Sequence, residues 1–278
     1  MGSFGRCPAD PRTCDLSSGG AAKACTEYSG DSRRNIAADR AAGYEIIYAD
    51  TTNKTTFKGM VNENTAPGKK VVFALMQNMG NENSFDIEPM GGTVVFTSAG
   101  GAFRFNGHMK FIADHDADII FDHMTVTEAE SSKEIIAYGN NITFTETFKN
   151  TSGKTLIVYA NCNSTKESNG STVTVETDAK LNVYASGASG NYTDGDVTYI
   201  FGKNANSSLV VAGKVTKTDG TQTHVNGDVK VIVKDNATLS KIRVAENYSY
   251  LKGNLDIEIK DNANVITKSA AATLAPIL

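Results

Sequence analysis

Lysine and arginine never gather into more than an adjacent pair along this chain; the 27 of them are scattered against 31 acidic residues, leaving a net charge of −4 and a pI of about 5.6. Without a basic patch nothing neutralises a phosphate backbone or draws the chain to an anionic bilayer, so nucleic acid is not an expected partner. Long apolar runs are missing as well. Residues 71–76 and the uncharged tail 270–278 are the longest, far short of the roughly 20 residues a helical bilayer span needs. No apolar segment follows Met1, so a secreted product would carry its signal outside this chain.

Cysteine is scarce and badly placed for metal. Cys7, Cys14, Cys25 and Cys162 show no Cys-x-x-Cys spacing and no adjacent histidine, which argues against a structural zinc. Pairing within the N-terminal trio leaves one cysteine over, so the disulfide state stays open. There is no Gly-x-Ser-x-Gly, no P-loop, and no dinucleotide glycine fingerprint between a strand and a helix. Triad hydrolysis, nucleotide chemistry and redox chemistry are unsupported, and no cofactor is expected. Charged residues make up only 21% of the chain, while Thr, Ser, Asn and Gly abound. That balance suits turn-rich β-structure in an extracellular or cell-surface setting.

What the chain does contain is a repeat. Gly195-Asp-Val-Thr-Tyr-Ile-Phe-Gly-Lys-Asn-Ala-Asn returns as Gly227-Asp-Val-Lys-Val-Ile-Val-Lys-Asp-Asn-Ala-Thr and as Gly253-Asn-Leu-Asp-Ile-Glu-Ile-Lys-Asp-Asn-Ala-Asn. Each unit has a glycine, a polar residue, a strand of period-2 alternation and an Asn-Ala turn. One such unit cannot bury its own apolar face, so units must stack. The glycine also recurs at Gly107, Gly139 and Gly170, which predicts six coils with intervals of 32, 31, 25, 32 and 26 residues. The coils from Gly139 and Gly170 place their apolar residues one position later, which calls for an extra corner residue.

Short β runs occur throughout, among them 44–48, 55–57, 70–75, 93–97 and 102–105, and the later units carry a second or third run after the turn. No helical period intervenes after a short helix near 33–42. The fold class is therefore all-β, a parallel β-helix with coils of about 25–32 residues. Right-handed winding follows from the usual crossover rule and from the lack of hexapeptide or calcium-nonapeptide repeats. An antiparallel sandwich would have no reason to repeat Asn-Ala at a fixed offset from a glycine. Residues 1–42 read as an irregular leader, linker or cap, 43–268 as the β-helix, and 269–278 as a C-terminal tail.

The Gly-Asp-Val-x-Val-x-Val runs, Gly91-Gly-Thr-Val-Val-Phe-Thr-Ser-Ala-Gly-Gly101 and Ile120-Phe-Asp-His-Met-Thr-Val126 resemble the pectate-lyase-like right-handed β-helices, and within them the repetitive domains of large Gram-positive cell-surface proteins. The resemblance covers about residues 44–268 and implies a fold more than an activity, since that family holds enzymes, adhesins and passive stalks.

One stretch concentrates reactive side chains: His108, Asp114, His115, Asp116, Asp118, Asp122 and His123. Such a set has the chemistry to bind a divalent cation, or to hold two carboxyls at the roughly 5–9.5 Å that glycoside hydrolysis uses. Aligning the coils on their glycines sets His108 opposite Asp196, His115 opposite Asp235, and Asp116 opposite Asn204, all ordinary turn residues. Asp118, Asp122 and His123 escape that alignment. Alternation from Ile119 and Phe121 places Asp118 and Asp122 on the outer face, with His123 inward or at a strand end. A lyase, as the resemblance implies, would use calcium-binding aspartates and an arginine or lysine base, for which Arg104 is the better of the two arginines after residue 40. The candidate binding residues are thus Arg104, Asp118, Asp122 and His123. No catalytic residue and no metal ligand is assigned, because turn and alternate strand positions seldom converge on one ion.

The expected function is a non-catalytic stalk or adhesive surface of a larger cell-surface protein, with glycans or host and cell-surface polymers as partners. The alternative is a carbohydrate-active enzyme, a polysaccharide lyase or glycoside hydrolase, of the same fold. Asn204, Asn236 and Asn262 share one offset and are expected to form a buried side-chain amide ladder. The last coil is expected to leave an open edge through which the chain self-associates.

Overall fold

A computed structural model of the chain describes residues 34–76, 84–98, 103–104, 108–127, 133–161, 169–186, 192–213, 222–246, 248–266 and 268–269. The four cysteines, most of the leader, and the tail beyond Ser269 lie outside them. The described strands pair in parallel and stack as a β-solenoid of about seven turns with almost no helix. Its first long sheet holds nine strands, from Glu45–Ala49 through Lys70–Leu75, Gly92–Ser98, Ala117–Phe121, Asn141–Phe144, Ser171–Val175, Val197–Phe201 and Val229–Val233 to Leu255–Ile259. A second long sheet runs from Ser84–Ile87 to Asn264–Val265. Two three-stranded sheets line the bends, one of Phe103–Arg104, Thr125–Thr127 and Lys149–Asn150, the other of Tyr192–Thr193, Thr223–Val225 and Ser249–Leu251.

Period-2 alternation explains the core. Val197, Tyr199 and Phe201 point inward and are fully buried while Thr198 and Ile200 stay half-exposed, and Val229, Val231 and Val233 repeat the pattern one coil on. Exact register then stacks like on like. Phe73, Phe96, Phe121 and Phe144 occupy one column, with ring centroids 5.7, 5.7 and 5.2 Å apart. Each such aromatic pair adds about 0.5–1.5 kcal/mol beyond its buried area.

The repeated glycines exist because adjacent coils touch backbone to backbone. A Cβ on Gly195 would collide with the Gly170 backbone, one on Gly227 with Gly195, and one on Gly253 with Gly227. Register also corrects the expected corner insertion. Ile142 and Val173 lie level with Tyr199, so Gly170 stands beside Asp196 and those coils carry one residue fewer before the strand, not one more.

The coil assigned to Gly107 is misplaced in the sequence reading. Its strand, His108–Phe111, belongs to the second long sheet, pairing with Ser84–Ile87 and Lys133–Ile136. The matching strand of the first sheet is Ala117–Phe121, so a coil of 23 residues separates Ile119 from Ile142. Inward alternation looks the same on either sheet, which is why counting from a glycine chose the wrong one. The equivalences of His108, His115 and Asp116 with the later turns fall with it.

Residues 55–57, expected as a strand, lie inside a helix. Helix α1 spans Ile36–Ala41 and helix α2 spans Lys54–Asn64. Asn53 caps α2, its side chain accepting from the Thr56 amide at 3.0 Å, and Phe57 and Val61, one helical turn apart, bury one face. The Phe57 ring meets Phe73 edge-on at 6.2 Å. α2 takes the place a strand would hold in the first coil and packs beside Ser84–Ile87, closing that end of the second sheet.

The amide ladder is also overturned. Asn204, Asn236 and Asn262 are exposed. Lys203 and Asn204 (φ 40° and 66°), like Asp235 and Asn236 (φ 51° and 63°), adopt positive φ in tight turns closed by Ala205 N–H to Gly202 O at 2.9 Å and Ala237 N–H to Lys234 O at 3.0 Å. Asparagine is there because it tolerates the left-handed backbone of a type I′ turn. The alanine after it is what enters the core, Ala205 and Ala237 being fully buried.

Candidate functional site

The acidic histidine stretch does not form one site. His108 faces outward on the second sheet with Nδ1 3.2 Å from Glu134, whereas His115, at the next corner, sets Nε2 3.5 Å from Glu88. Asp114 accepts from the Asp116 amide at 3.2 Å, a local turn bond, and Asp116 takes φ 54°. Asn140 ties this corner together. Fully buried, it donates to the carbonyls of Ala113 and Ala137 at 2.8 Å each and accepts from the Ala117 amide at 3.1 Å.

Of the candidate set, Asp118 is exposed on the outer face of the first sheet, as alternation requires, and accepts from Asn141 Nδ2 at 3.0 Å one coil on. Asp122, expected beside it on the outer face, is nevertheless buried. The backbone ladder continues past Phe121, the Asp122 amide donating to Phe96 O and the Thr145 amide to Phe121 O at 3.1 Å each, so Asp122 keeps the outward side and is buried because Arg34 covers it there. Asp122 Oδ1 accepts from Thr147 at 2.6 Å and Thr145 at 2.7 Å, while its Oδ2 pairs with Arg34 at 2.6 Å and lies 3.1 Å from His123 Nδ1. Burial by itself would raise the pKa of this carboxyl. The hydrogen bonds from Thr147, Thr145, Arg34 and His123 outweigh burial and hold it well below the usual carboxylate range. Arg104 lies on the short strand Phe103–Arg104 that pairs with Val126 and Thr127; its side chain is outside the described residues.

Arg34 was not singled out in the sequence. Its guanidinium bridges Asp39 at 2.8 Å and Asp122 at 2.6 Å and lies 5.5 Å from the centre of the Tyr44 ring. Val72, Ala74, Val95 and Thr97 point outward from the first sheet and yet are fully buried. They lie between Glu45–Ala49, against which α1 packs, and Asp122, to which Arg34 is tied. The cluster is therefore an anchor that holds the N-terminal segment across the sheet. Among the described residues no group of three or more His, Cys, Asp or Glu is arranged to hold a metal, and no helix is long and apolar enough to cross a membrane.

A second surface also escaped the sequence reading. Gln222, His224 and Asn226 alternate with buried Thr223 and Val225, and Tyr248, Tyr250 and Lys252 alternate with Ser249 and Leu251. The readable signal was this period-2 pattern of aromatic and polar residues on two runs that register with each other. No protein-family model matches the chain, and neither a curated protein nor a solved structure does.

Proposed function

We propose that this chain is a non-catalytic, extracellular β-solenoid segment of a cell-surface protein, acting as a stalk or as an adhesive surface for glycans. The observation that carries this reading is the unbroken register of the first sheet. Its nine strands, spaced about 4.8 Å apart, make a stiff unit roughly 38 Å long. The polar side chains that suggested chemistry are engaged in joining coils: Asp118 bonds Asn141, and Asp122 bonds Thr145 and Thr147. The resemblance to repetitive domains of Gram-positive surface proteins within the pectate-lyase-like fold points the same way.

The reading includes self-association with a second copy through the C-terminal end. There the inward side chains of the last strand lack a covering coil among the described residues, with Ile257 42% and Ile259 41% exposed. The deciding experiment is a glycan array run with a polysaccharide-degradation screen on the same preparation. Binding without cleavage is the expected result. Release of new reducing ends or unsaturated products would replace this reading with the carbohydrate-active enzyme.

A further inference from the structure

We propose that the outward face of the short sheet formed by Thr223–Val225 and Ser249–Leu251 is a binding strip for a neutral pyranose glycan. The inference rests on the adhesive reading above and gives it a location.

Register sets His224 beside Tyr250. Their rings stack with centroids 5.0 Å apart and planes 16° apart. Tyr248, two residues before Tyr250 on the same outward side, is 46% exposed. Rigid rings displayed on a strand offer contact area at small entropic cost, and tyrosine adds a hydroxyl at the rim. His224 and Tyr250 cover each other's facing sides, which leaves the outer face of Tyr250, on the end strand of this sheet, and the ring of Tyr248 for the flat, weakly apolar C–H face of a pyranose.

Polar groups border the rings in the pattern that hydroxyls need. Asn226 Nδ2 donates to Asp194 Oδ1 at 2.5 Å, which fixes both planar groups side by side on consecutive coils. Lys252 Nζ lies 5.9 Å from the centre of the Tyr250 ring. Amide, carboxylate and ammonium together donate to and accept from vicinal hydroxyls. Charge selects the ligand further. Asp194 and Lys252 balance each other, while burial and then Lys252 push the His224 imidazole below its ordinary value. Among the described residues the strip has no net charge, which gives no steering to a uronate or sulfated chain, and carries no aliphatic side chain of the kind that anchors a protein partner.

The test is calorimetric titration of the full chain with cellohexaose, xylohexaose and mannohexaose, against pentagalacturonate and a heparin hexasaccharide. At least one neutral hexaose is expected to bind, with saturation-transfer signals from the tyrosine rings. Tyr250→Ala and His224→Ala should weaken that binding by about tenfold, while Tyr250→Phe, which keeps the stack, should change it by less than about threefold. Circular dichroism and melting report whether each variant folds, and the ring signals of the parent serve if one does not. Neutral-hexaose binding that ignores all three substitutions and shows no ring signals would remove the strip but leave the adhesive reading standing. Preference for the anionic chains, or binding to no hexaose, would overturn the proposal; the glycan array then shows whether adhesion as such survives.

Discussion

Arg34 and Asp122 are 88 positions apart in the chain and 2.6 Å apart in space. Their pair joins the segment before the first strand to the end of the fourth strand of the first sheet, with Asp39 sharing the guanidinium at 2.8 Å. Residues 34–42, within the stretch read as an irregular leader, linker or cap, thus take part in the solenoid's packing.

Removing the cation should expose that dependence. Arg34→Ala leaves two carboxylates with little solvent, the side chains of Asp39 and Asp122 each being 10% exposed. The expected loss is about 2–4 kcal/mol in urea unfolding. The double variant Arg34→Ala/Asp122→Asn should lose less than the sum of the two single changes, because the two residues are in contact. Additivity would mean that the pair contributes nothing specific.

Acid should have the same target. The folded-state pKa of Asp122 is depressed, so its contribution is fully present above the unfolded value of about 3.9 and is lost as pH falls from there toward the folded value. Melting temperature should therefore drop more steeply below about pH 4 in the parent than in Asp122→Asn. Parallel curves for the two proteins would rule out this linkage.

The two asparagine positions should respond differently. Asn140→Ala removes the side-chain partner of the part-buried Ala113 carbonyl and of the buried Ala117 amide, while the Ala137 carbonyl keeps the residue-140 backbone N–H at 3.1 Å, at about 1–3 kcal/mol. At exposed Asn236 (φ 63°) the cost of alanine is that of a left-handed backbone, about 1–2 kcal/mol, and Asn236→Gly should be nearly neutral. A loss at Asn236→Gly as large as at Asn140→Ala would restore the buried ladder.

Self-association should follow the exposed side chains of the strand Leu255–Ile259. Ile257→Lys/Ile259→Lys places charge on side chains already 42% and 41% exposed, so folding should survive while concentration-dependent light scattering falls. Unchanged association would move the contact elsewhere on the molecule.

Calcium offers a check on the enzyme alternative. Asp118 and Asp122 are bonded to Asn141 and to Thr145, Thr147 and Arg34. Millimolar calcium should then leave the melting temperature of the parent and of Asp118→Asn/Asp122→Asn equally unchanged. A rise of several degrees confined to the parent would favour a calcium-dependent lyase.

The sequence by itself determined the parallel stack. A strand of period-2 alternation between a glycine and an Asn-Ala turn, returning as a unit, must pair with its own next copy to bury its face, and no distant residue is needed to see it. Tertiary structure alone decided which sheet each strand joins, since inward alternation at Met109 and Phe111 is identical on either one. It also made a helix of Lys54–Asn64, where the Asn53 cap and the burial of Phe57 and Val61 prevailed over a local β-like run. And it buried Asp122, because its partners come from Arg34 and from Thr145 and Thr147 on the neighbouring coil. Repetition is a local property written along the chain, whereas the burial of one carboxylate depends on groups that only the fold brings together.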